Sequence, residues 1–154
     1  MIEVREVGPG DREALVRFRC DLWPDDPASE HEADVDRLLR GNARSTLRLV
    51  VLIAVSGDER VGFVEAGLRS HADGCETDHA VGFLEGWYVA PAYRRRGVGR
   101  ALVDAAEAWA RGHGCREMAS DTWSDERGAV SLGAHQALGF EVVDRVVTFR
   151  KGLV

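Results

Sequence analysis

The sequence holds 154 residues, 45% hydrophobic and 30% charged, which fits one domain with a single core. Lys and Arg number 20 against 26 Asp and Glu, and the resulting net charge of -6 disfavours nucleic acid and anionic membrane as partners and suits a cationic small molecule. No stretch approaches the roughly 20 apolar residues of a membrane span, and no basic start leads into an apolar run, so a cytoplasmic location is expected.

Apolar residues alternate with charged ones over Ile2 to Val7, as in a half-buried strand, until Gly8-Pro9-Gly10-Asp11 breaks the pattern. Asp11 is placed to cap a helix carrying Leu15, Phe18 and Leu22, which Trp23-Pro24 ends. After the turn Pro24-Asp25-Asp26-Pro27, the pair Ser29 and Glu32 has the spacing of a capping box. A second helix then follows with a Val35, Leu38 and Leu39 stripe, up to Gly41. Leu47 to Val55 and Val61 to Leu68 are apolar runs about the turn Ser56-Gly57-Asp58-Glu59, the pattern of an antiparallel hairpin.

Arg69 to Ala80 is polar and reads as a surface loop. Its His71, Asp73, Glu76, Asp78 and His79 have no fixed ligand spacing, so no metal is expected. Val81 to Val89 is the next strand, and a helix begins near Gly97 with Leu102, Val103, Ala106 and Trp109 on one face. Glu117 to Thr122 is strand-like, Ala129 to Leu138 helical until Gly139, and Val142 to Phe149 a last strand rich in β-branched residues. The cysteines Cys20, Cys75 and Cys115 form no C-x-x-C pair and read as reduced thiols.

The order β-α-α-β-β-β-α-β-α-β carries no repeat or linker. It predicts a single α/β domain over residues 1–154, with a mixed, partly antiparallel central sheet and helices on both faces. The chemistry is concentrated where a strand runs into Arg94-Arg95-Arg96-Gly97-Val98-Gly99 and directly into an amphipathic helix. The first turn of a helix leaves backbone N–H groups unpaired at the positive end of its dipole, glycines let an anion approach that backbone, and arginines add charge. A Walker A loop is excluded because no Lys-Ser or Lys-Thr follows the second glycine, and a dinucleotide fingerprint because Leu102 stands at its third glycine.

With Tyr88-Val89-x-Pro91 ahead of it, the pattern Arg94-x-x-Gly97-x-Gly99 resembles the GNAT superfamily of N-acetyltransferases, over the whole chain. The resemblance implies acetyl-CoA as cofactor. Trp87, Tyr88 and Val89 would line its pantetheine arm, Arg94, Arg95, Arg96, Gly97, Val98 and Gly99 would hold its pyrophosphate, and the Val89 N–H would polarise the thioester carbonyl. A narrower resemblance to the aminoglycoside 6'-N-acetyltransferases rests on Leu22-Trp23-Pro24, Phe83-Leu84-Glu85-Gly86, Cys115 to Thr122 and His135-Gln136-Ala137-Leu138-Gly139-Phe140.

That narrower resemblance implies that Glu85 and Asp121 bind a cationic acceptor, or accept its proton as catalytic groups. Trp23, Asp26 and Asp144 would join them at the acceptor. His135 stands where many superfamily members carry a tyrosine acid, and its role as acid, cofactor contact or packing residue is open. Gly128 stands near the place of an asparagine that often contacts the cofactor. A homodimer is implied, dimers being common in the family. The alternatives are an acetyltransferase for a polyamine, an amino acid derivative or a protein N-terminus, and a non-catalytic acyl-CoA-binding module.

Overall fold

The computed structural model describes residues 1–41 and 48–153. Its elements in chain order are β1 (Ile2–Glu6), α1 (Arg12–Leu22), α2 (Ala28–Leu39), β2 (Leu49–Ser56), β3 (Glu59–Arg69), β4 (Val81–Val89), α3 (Val98–Gly112), β5 (Met118–Ser120) and α4 (Ala129–Ala137). Leu47, the expected start of the second strand, lies outside the described residues.

The sheet runs β1-β2-β3-β4-β5, antiparallel through β4 and parallel between β4 and β5. Alternation along β2 divides the core. Val50, Leu52 and Ala54 face Leu102, Val103 and Ala106 of α3, whereas Val51 and Ile53 face Leu15 and Phe18 of α1 and Val35 of α2. Helices therefore cover both faces of a mixed sheet, as the element order predicts. No helix among the described residues is long and apolar enough to cross a membrane.

Three local expectations need correction. Asp11 stands at the N-cap position of α1 but makes no side-chain cap there. It is 1% exposed, and its carboxylate is taken by Arg5 at 2.7 and 2.9 Å, Arg60 at 2.9 Å and the Gly8 N–H at 2.9 Å. Two guanidiniums outcompete a helix end for a carboxylate. Secondly, Ser29 does not begin α2. Pro27 is the N-cap residue, its fixed φ of -60° leading into the helix without a side-chain cap.

The third correction concerns Val142 to Phe149, which pairs with no strand. Its β-branched residues satisfy strand propensity, but a strand exists only where a neighbour accepts its backbone bonds, and none of the described residues does so. Val142, Val143, Val146, Val147 and Phe149 are left 46 to 90% exposed.

Candidate active site

The geometry of the site follows from the shortness of β5. Parallel pairing joins Gly82, Phe83 and Leu84 to Met118, Ala119 and Ser120 and stops there, while β4 continues to Val89. Among the described residues, the β4 backbone beyond Leu84 is paired on its β3 side only. The Ala90 N–H bonds to the Val61 carbonyl at 2.8 Å. Since successive amides of a strand point to opposite edges, the Val89 N–H faces the open side. An extended chain carrying amides fits alongside such an edge.

The pairing of β3 with β4 slips at Glu85, since Glu65 pairs with Gly86 and Ala66 with Leu84. Glu85 is thus the extra residue of a bulge, a device that re-aims a side chain and bends its strand. Glu85 follows the last β4 residue paired to β5, and Asp121 follows the last β5 residue paired to β4, so both carboxylates come to the point where the strands part. Asp121 is exposed. Glu85 is held by Arg69, whose Nη2 lies 2.9 and 3.0 Å from its two oxygens.

Glu85 also borders a cavity of about 350 Å³ between α1, α2 and the sheet, lined among others by Arg19, Asp34, Glu65 and Arg69. Trp23, Asp26, Asp121 and Asp144 do not line it. Trp23 is an anchor: its ring stacks on His31, meets Phe63 edge-on and lies so close to Gly86 that a Cβ there would come within 2.6 Å of it. Asp26 is exposed in the turn after α1, and Asp144 is exposed on the unpaired C-terminal arm.

On the other wall of the parting, the Ser120 hydroxyl lies 2.9 Å from His135 Nε2 and 3.2 Å from the Leu84 carbonyl. His135 Nδ1 is 2.7 Å from the Ser131 carbonyl. A carbonyl only accepts, so Nδ1 carries the proton, and the single Ser120 hydroxyl proton is shared between the Leu84 carbonyl and the Nε2 lone pair of the neutral ring. Trp87 stands edge-on to the same imidazole with centroids 5.5 Å apart, and its buried indole N–H has no hydrogen-bond partner among the described residues. A buried donor without a partner costs about 1–3 kcal/mol, so this one is suited to a ligand acceptor.

At the far end of β4 the chain turns through Pro91–Tyr93 into the arginine and glycine run. Arg95 and Gly97 both adopt left-handed backbone, with φ of 62° and 81°. Left-handed residues in a turn help to gather backbone N–H groups into an anion-binding concavity, here opening onto the N-terminus of α3. Gly97 is therefore demanded by its conformation, and a Cβ on it would meet nothing within 4 Å. Gly99 is demanded by packing, since a Cβ there would lie 2.8 Å from Trp87. Val98 is 1% exposed and offers only its backbone. Arg94 turns back to donate to the Val89 carbonyl at 2.9 Å, and Arg96 lies over the Tyr93 ring.

Two residues of the site escaped the sequence reading. Ser120 gave no signal, because its role depends on a histidine from another element. Glu65 gave a faint one as the lone charge within Val61 to Leu68. It is largely buried, its pKa is raised by that burial, and Arg19 at 2.5 Å opposes the shift.

The acetyltransferase (GNAT) family model matches residues 15–140. The chain is 44% identical over 150 residues to aminoglycoside N(6')-acetyltransferase type 1 of Klebsiella aerogenes, covering 97% of this chain and 96% of the relative. It is 42% identical over 153 residues to the enzyme of the same name from Stenotrophomonas maltophilia, covering 97% and 93%. Among solved structures it is similar to AAC(6')-Iy in complex with the bisubstrate analogue CoA-S-monomethyl-acetylneamine, with TM-score 0.85, 36% identity and 99% of each chain covered.

Proposed function

This chain belongs to the GNAT family of acetyltransferases, and we propose that it transfers the acetyl group of acetyl-CoA to the 6'-amine of aminoglycosides. The observation that carries this reading is the β4 edge left open beyond Leu84, which leads from two carboxylates to a left-handed glycine turn at a helix N-terminus. The edge takes the pantetheine arm alongside Trp87, Tyr88 and Val89. The turn from Arg94 to Gly99 takes the pyrophosphate.

In the reaction the neutral amine attacks the thioester carbonyl carbon, and the Val89 N–H stabilises the oxyanion. The C–S bond then breaks, and the proton lost by the attacking nitrogen ends on the thiolate. An aminoglycoside amine is mostly cationic at neutral pH, so a proton must leave before attack. Asp121 and Glu85 stand at the parting to bind the cation and receive that proton directly or through water. His135, with Nδ1 tied to Ser131, acts as a positioning residue that fixes the Ser120 hydroxyl and the Trp87 ring beside the open edge. Trp23, packed against Gly86, supports the acceptor side from behind β4, and Asp26 follows it in the exposed turn after α1.

Thiol release is expected with a 6'-amino aminoglycoside and not with its 6'-hydroxyl counterpart. Equal turnover of both places the reactive amine elsewhere on the acceptor. Glu85→Gln and Asp121→Asn are each expected to raise the aminoglycoside KM about tenfold, the loss of one screened charge contact of ~1.4 kcal/mol. Acetyl-CoA affinity, measured by calorimetry, should stay unchanged. Equal loss of both affinities would make the carboxylates structural.

A homodimer is supported by the C-terminal arm. Counting alternate residues from Val142, both of its faces carry apolar side chains, so it suits a strand covered on both sides. Two copies exchanging arms would satisfy both by one two-fold operation, and would bring Asp144 of one chain to its partner. Sedimentation should show a dimer, and deletion of the residues after Phe140 a monomer. A dimer that survives the deletion assembles through another surface.

A further inference from the structure

We propose that the β3–β4 loop and the residue just ahead of β5 form a divalent transition-metal site, with His79 Nε2 as its nitrogen ligand and carboxylates drawn from Glu76, Asp78 and Glu117. Nothing in the acetyltransferase reading calls for such a site. The His79 side chain is 8% exposed. Its Nδ1 lies 2.9 Å from the Ala80 carbonyl, so Nδ1 carries a proton and the ring is fixed in orientation.

The other nitrogen, Nε2, is buried and forms no hydrogen bond with any of the described residues. Three carboxylate oxygens surround it: Glu117 Oε1 at 3.1 Å, Asp78 Oδ1 at 3.7 Å and Glu76 Oε2 at 3.8 Å. A bare lone pair facing three anions is repulsive, so a positive charge belongs between them. If that charge were a proton on Nε2, an oxygen would be expected on the N–H axis, and none is aligned for it.

The separations instead suit ligands arranged around a common ion. Metal bonds of about 2.0–2.2 Å to imidazole nitrogen and carboxylate oxygen at tetrahedral angles put neighbouring ligand atoms roughly 3.3–3.6 Å apart. The ligand atoms of Glu76, Asp78 and His79 all lie within 4.8 Å of one another. Glu117 comes from outside the loop, which is why spacing within the loop gave no ligand pattern.

Neighbouring groups define the set further. Arg116 Nη2 lies 2.8 Å from Asp78 Oδ1 and neutralises part of the charge, which makes Asp78 the weakest of the three carboxylates. The Glu76 N–H donates to Glu117 Oε1 at 2.8 Å, so the loop already leans on the ligand just ahead of β5. Burial, with the Glu117 carboxylate close by, raises the pKa of the Cys75 thiol. One imidazole with carboxylates selects zinc or cobalt over calcium or magnesium, which take oxygen alone.

The test is calorimetric titration of the tag-free protein with zinc chloride, with cobalt absorption as a report of coordination geometry. One ion per chain is expected, with tetrahedral cobalt bands and a melting temperature raised by zinc. His79→Gln should abolish these responses. Glu76→Gln, on an exposed side chain that puts the fold at little risk, should weaken binding by about 10-fold or more, the scale on which a weakened ligand shell costs affinity. Asp73→Asn, outside the cluster, should change nothing. Zinc binding that is absent, or that survives both His79→Gln and Glu76→Gln, overturns the site.

Discussion

Gly97→Glu is expected to lower acetyl-CoA affinity at least about a hundredfold, a loss of ~2.7 kcal/mol. The pyrophosphate is assigned to the N–H groups at the start of α3, where charge-assisted hydrogen bonds are worth about 1.5–3 kcal/mol each, and a carboxylate placed there both occupies the position and repels the ligand. The fold should accept the side chain, because a Cβ at Gly97 meets nothing within 4 Å. The backbone still has to hold φ at 81°, which costs a residue other than glycine about 1–2 kcal/mol. Gly97→Ala isolates that cost: it should lower the melting temperature as much as Gly97→Glu while leaving affinity within a few-fold. Calorimetric titration of both folded variants separates charge from strain. Full affinity in Gly97→Glu would move the pyrophosphate off this turn.

Asp11→Ala should destabilise the fold by about 3 kcal/mol, the low end for breaking a buried ion pair, because solvent reaches the two arginines. The carboxylate is 2% exposed, against 38% for Arg5 and 34% for Arg60. Removing it frees two guanidiniums and the Gly8 N–H at the junction of β1, β3 and α1. Its pKa is held far below the ordinary carboxylate range, first by the Arg5 hydrogen bonds and then by the Gly8 and Arg60 contacts, against the cost of burial. A lowered folded pKa contributes stability above the unfolded value of about 3.9, and that contribution is lost as pH falls below it. Denaturant titrations should show the variant weakened at neutral pH and the difference shrinking in acid. A constant difference down to acid pH would show that Asp11 acts by packing.

What the sequence disclosed, and what it hid, divides along the range of the interactions. Strand β4 has its predicted bounds, Val81 to Val89, because an apolar run between a polar loop and a proline is a local signal. The glycine turn was equally legible, since a backbone conformation that only glycine adopts cheaply is written into one position. Asp11 misled because its local context offered a helix end, while the stronger partners Arg5 and Arg60 arrive from two strands. Ser120 became visible only when α4 brought His135 against it. The arm from Val142 shows the converse: the residues specify a strand, and the described chain supplies no edge to complete it.

The ion pair between Arg69 and Glu85 bears on which amines the enzyme rewards. If Glu85 is the acceptor carboxylate, as proposed, an arriving cation has to trade places with a guanidinium already held at two oxygens. For a monoamine the exchange of one screened contact for another comes out near zero. On that reading a molecule with several ammonium groups exchanges one contact and adds another at the exposed Asp121, so its advantage grows with the number of charges it presents at once. With Glu85 in the proposed acceptor role, the resident arginine acts as an occupant to be displaced, which favours amines of high valence over monoamines.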